Sequence, residues 1–126
     1  MTSKLEEVFH IIDGARDAII ELEAELTSRV ALGPENGGTG EHEKAAFLRC
    51  QLENLGPDFL QEIKAPDKEA QDGYRPNLVA RWEGKNEGPT LWALSHMDIV
   101  PPGDPSLWEH DPYQIRVDGD RITGES

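Results

Sequence analysis

Thr90-Leu91-Trp92-Ala93-Leu94-Ser95-His96-Met97-Asp98-Ile99-Val100 is the stretch on which the reading of this chain turns. It begins with four uncharged apolar residues, Leu91 to Leu94. Gly88-Pro89 precedes them, and Pro101-Pro102-Gly103 closes the stretch. A short apolar run bounded in this way predicts a strand buried on both faces. A buried helical segment is the competing reading, but the flanking prolines leave too little length for it. Strand alternation puts residues two apart on one side, so His96 and Asp98 are expected to point together. They fall at the strand's C-terminal end, the end beyond which open α/β sheets bind ligands. An imidazole and a carboxylate there suit a metal ligand and its orienting partner. On spacing alone, a strand-end histidine that merely hydrogen-bonds is the plainer reading of the triplet.

The rest of the chain narrows the function classes. Its 126 residues suffice for one modest domain. Twenty-five Asp and Glu against twelve Lys and Arg leave a formal net charge of −13, which argues against nucleic acid and against anionic membranes, since both need a basic surface. Cys50 is the single cysteine, so neither an intrachain disulfide nor a cysteine-zinc cluster forms. The first residues contain no apolar signal segment, and no apolar run approaches a membrane span. A cytoplasmic protein is the expectation.

Ahead of the central stretch, Leu5, Val8, Phe9, Ile12, Ile19, Leu22, Leu26 and Val30 recur at helical spacing. They predict one long amphipathic helix from Ser3 to about Leu32. Ser3 and Glu6 have the spacing of a capping box, and Gly14 is a candidate break. His10 sits beside the apolar stripe and reads as structural. Gly33 to Gly40 is a loop. Glu41 to Leu55 predicts a second helix with Ala45, Leu48, Leu52 and Leu55 on one face. Gly56 stands where a left-handed C-cap is wanted. On this second helix, His42 reads as chemically idle and Cys50 as partly buried packing.

Phe59 to Ala65 alternates as a weak strand, Ala65 to Pro76 is a polar loop, and Asn77 to Trp82 reads as a strand. Beyond the central stretch, Pro101 to Pro112 is irregular, and His110-Asp111 reads as a surface pair. Tyr113 to Val117 leads through the turn signal Asp118-Gly119-Asp120 into a returning strand, Arg121 to Thr123. Two helices, three strands and a hairpin place the chain in the α/β class, a mixed sheet with helices.

Several of these residues recur together in one family. Ser95 to Asp104, Trp108, Asp111-Pro112-Tyr113 and Asp118 to Gly124 closely resemble the metallopeptidases that include aminoacylase, acetylornithine deacetylase, succinyl-diaminopimelate desuccinylase, glutamate carboxypeptidase and dipeptidases. Arg75 to Ala80 resembles that family's first sheet strands, and Thr39 to Glu43 the start of its second helix. The resemblance implies that residues 1–126 are the N-terminal part of a zinc-exopeptidase-like catalytic domain. It implies that His96 ligates one zinc of a two-zinc site and that Asp98 orients it. The implied reaction is hydrolysis of a peptide or N-acyl amino acid amide by a two-metal-activated water, with cobalt or manganese as alternative metals. The family's bridging aspartate, paired glutamates, later ligands and inserted domain have no counterparts up to Ser126. The expectation is therefore a chain inactive alone. The alternative is a non-catalytic module that self-associates as a homo-oligomer through an uncovered sheet edge.

Overall fold

The structure, a computed structural model, describes residues 3–124. The departure from the family at Glu125 and Ser126 lies outside the described residues. The chain divides into two compact units, residues 1–29 with 104–126 and residues 30–103.

The first unit holds helices α1 (Lys4–Gly14) and α2 (Arg16–Ser28) and the hairpin of β3 (Arg116–Asp118) and β4 (Arg121–Thr123). The single long helix predicted over Ser3 to Leu32 is thus two. The helical path breaks at Ala15, beside the glycine that weakens it, and the Ala15 amide turns to the carbonyl of Ile12. The capping box at the start is formed: Ser3 Oγ accepts from the Glu6 amide, and the Ser3 amide donates to the Glu6 carboxylate. Gly119 adopts φ +59° in the two-residue turn between Asp118 and Arg121, a conformation glycine takes without steric cost. Arg16 Nη2 donates to the Gly119 carbonyl at 3.0 Å and ties α2 to that turn. Of the strand predicted over Tyr113 to Val117, only Arg116 and Val117 pair in the ladder, and Asp118, read as a turn residue, pairs as well.

In the second unit, α3 (His42–Asn54) packs against β2 (Tyr74–Arg81), which pairs antiparallel with β1 (Phe59–Pro66) along their full length. The strands run further into the predicted polar loop than the sequence suggested, leaving a tight connection at residues 67–73. The Asp67 amide closes that connection by donating to the Gly73 carbonyl at 3.0 Å. Gly56 ends α3 at φ +61°, as a left-handed cap requires. Trp82 covers the same helix end by donating its indole N–H to the Leu55 carbonyl at 3.3 Å. Cys50 is exposed, not packed as expected, because α3 turns Lys44 and Ala45 inward instead. On β1, Leu60 and Glu62 are the half-buried side, and Phe59 and Ile63 face outward.

The fold class is α/β, and both pairing senses occur: two antiparallel ladders and one parallel bridge between Leu32 and Ile99. The central stretch departs from its prediction. Residues 90–98 form no ladder, and Leu91, Trp92 and Leu94 are 95%, 71% and 88% exposed. β1 pairs only with β2 and β3 only with β4, and no described strand pairs with the run. The hydrophobic core of the second unit is small: Ala31, Ala45, Ala70 and Ile99.

Candidate functional site

Ile99 is the anchor of the central stretch. Its amide donates to the Ala31 carbonyl at 3.1 Å, and it is the one buried residue between Leu91 and Val100. The residues just before it, His96 and Asp98, are brought into contact at the surface. His96 Nδ1 lies 2.8 Å from the Asp98 carbonyl oxygen and 3.4 Å from Asp98 Oδ1. A carbonyl only accepts, so in the neutral ring Nδ1 carries the proton and Nε2 keeps its lone pair. The His96 side chain is 80% exposed, which leaves that lone pair open to a ligand. The pair therefore touches without the strand that was expected to align it: a local bond to the backbone two residues on does the aligning.

The same unit holds a part-buried ion pair. Arg75, on β2, donates Nε–H to Glu41 Oε2 at 3.2 Å and Nη2–H to Glu41 Oε1. Nη1 lies 3.7 Å from Glu35 Oε2. Glu41 is 4% exposed. The hydrogen bond with Glu41 holds the guanidinium well above its ordinary pKa, against the opposing effect of burial. The negative charges of Glu41, Glu35 and Asp98 add to it. Sequence reading took Glu41 only as a helix start and Arg75 only as part of a strand motif. One signal was there to be read. Glutamate is a poor N-cap residue, and Glu41 makes no side-chain cap bond at the start of α3, so its carboxylate serves elsewhere.

The other histidines are scattered. His10 is exposed on α1 and does not pack as expected. His42 sits edge-on to Tyr74, with ring centroids 4.6 Å apart, and neither ring nitrogen has a hydrogen-bond partner. His110 is half-buried, where surface exposure was expected. Its ring lies edge-on to Trp108 at 6.3 Å, and its nitrogens are likewise unpartnered. Asp111 accepts from the Tyr113 amide at 2.9 Å and closes a local turn.

A catalytic zinc takes about three protein ligands. Among the described residues, no group of three or more His, Cys, Asp or Glu is placed to hold a metal ion. His96 is one donor with Asp98 beside it, and this donor set does not fit a resident catalytic metal. Also among the described residues, no helix is long and apolar enough to cross a membrane.

Known proteins similar to the chain agree with one another in kind. It is 36% identical over 115 residues to a metallohydrolase of Methanococcus maripaludis, a match that covers 86% of this chain and 27% of that protein. A metallohydrolase of Methanocaldococcus jannaschii is 35% identical over 112 residues, covering 83% of the chain and 26% of its own length. The succinyl-diaminopimelate desuccinylase of Gluconobacter oxydans is 34% identical over 105 residues, covering 83% of the chain and 24% of its length. The chain thus spans about a quarter of the length of the curated relatives it matches. No family-wide sequence profile and no solved structure matches it.

Proposed function

Because the chain belongs to the metallopeptidase family of the succinyl-diaminopimelate desuccinylases and related metallohydrolases, we propose that it carries one corner of that family's hydrolytic centre. In this reading His96 is a metal ligand through Nε2, and Asp98 fixes its ring. The observation that carries the reading is the His96–Asp98 contact, with Nδ1 engaged and Nε2 open. A ligating histidine characteristically gives its other ring N–H to an oxygen acceptor that fixes the tautomer.

The reaction proposed for a complete centre is hydrolysis of an amide, in a small peptide or an N-acyl amino acid, by a two-metal-activated water. Zinc is the proposed metal, and cobalt or manganese suit the same donors. The relatives named as desuccinylases favour N-succinyl amino acids within that substrate class. These 126 residues alone are proposed to be inactive, because one imidazole does not hold a catalytic metal.

The test is to dialyse the pure chain against zinc, measure bound metal, and assay N-succinyl amino acids and dipeptides. The expected result is well below one zinc per chain and no amide hydrolysis. Turnover that requires zinc and disappears in His96→Ala would overturn the proposal of inactivity.

A second reading rests on the uncovered apolar run at Leu91 to Leu94. It makes the chain a self-associating module, because an unpaired, uncharged extended segment pairs readily with another chain. A concentration-independent monomer in sedimentation would count against it.

A further inference from the structure

We propose that the free edge of β1 is a contact between two copies of this chain: β1 pairs antiparallel with β1 of a second copy about a twofold axis at Ile63, joining two two-stranded ribbons into one sheet. The proposal rests on the reading of the chain as a self-associating module, and it moves the contact from the run at Leu91 to Leu94 to a strand that is already built.

The bonding groups along that edge can be assigned. β1 pairs with β2 from Phe59 to Pro66 and with no other described strand. Among the described residues, no backbone hydrogen bond outside that ladder involves residues 59–66. An antiparallel ladder alternates residues that bond the neighbouring strand with residues whose amide and carbonyl point away from it. Just past the ladder, the Asp67 amide bonds the Gly73 carbonyl at 3.0 Å. Pro76, opposite Lys64, has no amide to give, and Asn77 Nδ2 reaches the Ile63 carbonyl at 3.5 Å. All three observations put the odd-numbered residues of β1 in the bonds to β2. Leu60, Glu62 and Lys64 then turn their amides and carbonyls outward, where a further strand takes them.

The side chains fit this strand to itself. With the twofold at Ile63, Glu62 stands opposite the partner's Lys64, and Lys64 opposite the partner's Glu62. Each such pair exchanges both backbone bonds, and directly opposite residues share a face. Both charges have capacity for the contact. Lys64 is exposed, its Nζ lies 4.3 Å from the centre of the Tyr74 ring, and among the described residues it has no carboxylate partner. Glu62 is met only by Arg49 Nη1, at 3.7 Å. On the other face Ile63, 48% exposed, meets the partner's Ile63, in a pair without backbone bonds, the closer kind. A twofold at Glu62 or Lys64 would set like charges directly opposite, and one at Gln61 would set Glu62 against the partner's Leu60. Lysine on an edge strand ordinarily blunts it; this register makes Lys64 half of an ion pair.

The test uses the 126-residue chain. Sedimentation equilibrium gives the dimer dissociation constant, and circular dichroism checks the fold of each variant. Glu62→Lys and Lys64→Glu are each expected to weaken the dimer roughly tenfold, because two opposite-charge pairs become two like-charge pairs. The double variant, which exchanges the two charges, is expected to return to within about threefold of the native value. A Cys50→Ser background removes the single cysteine, which is exposed. In it, Ile63→Cys is expected to give a disulfide-linked dimer on mild oxidation, and Gln61→Cys is expected to give none.

A dimer that ignores both single charge reversals overturns the proposal, and so does one that crosslinks through Gln61→Cys and not through Ile63→Cys. A dimer lost only in Leu91→Gln also overturns it, while leaving the self-associating reading with its contact in the apolar run. A monomer at every concentration overturns both. Should Glu62→Lys fail to fold without its contact to Arg49, Lys64→Glu and the Ile63→Cys crosslink decide, because both of those positions are exposed.

Discussion

Ser3 and Glu6 satisfy each other's backbone amides at the start of α1, and α1 buries no residue that would otherwise hold it. Its stability is therefore mostly local. Ser3→Ala is expected to remove about 1 kcal/mol from the helix, seen as faster amide hydrogen exchange in residues 4–7 with little change elsewhere. Asp104 offers a second local test. Hydrogen bonding to the Ser106 amide, and secondarily to its side chain, holds the carboxyl below its ordinary value of 3.8. A carboxyl depressed in the folded state contributes stability above its unfolded value and loses it as pH falls through the folded one. The Ser106 amide signal is thus expected to titrate with a midpoint below 3.8, and the titration is expected to vanish in Asp104→Asn. At this scale what the sequence made readable lies between residues three apart or fewer: the capping box, the Gly56 cap, the His96–Asp98 contact. The Glu41–Arg75 fork spans 34 residues and left only the oddity of a glutamate at a helix start.

Elements were legible in proportion to how much of their stabilisation is internal. The β3–β4 hairpin followed from its turn residues, and α3 from its periodicity and Gly56. The run at Leu91 to Leu94 followed from nothing internal, because an apolar run becomes a buried strand only when other strands and layers cover it. Here its side chains face solvent, and the neighbouring Ile99 alone is buried. Opposite responses to substitution are expected. Leu91→Gln and Leu94→Gln should change the unfolding free energy in urea by no more than about 0.5 kcal/mol. Ile99→Ala should lower it by about 2–4 kcal/mol, the range for truncating a buried isoleucine. A large loss in Leu91→Gln would mean that the run is covered in solution.

For the whole molecule the balance is acidic and thinly packed. The buried apolar residues among those described are three alanines and one isoleucine, and the formal net charge is −13. Hydrophobic burial scales with apolar area removed from water, so unfolding is expected to cost less than about 5 kcal/mol, the lower end for native domains. Self-repulsion of like charge opposes association, while the exposed run favours it. Any dimerisation is therefore expected to strengthen between low and high salt, which sedimentation at two ionic strengths measures. The sequence by itself determined the α/β class, the helix caps, the hairpin and the family, because each rests on neighbouring residues or on a pattern of side chains. Only the tertiary structure decided that the predicted central strand stays unpaired, that His96 is set by a local bond instead of a sheet, and that Glu41 and Arg75 meet. Burial and long-range pairing depend on which surfaces are present to cover a segment, and no segment carries that information within itself.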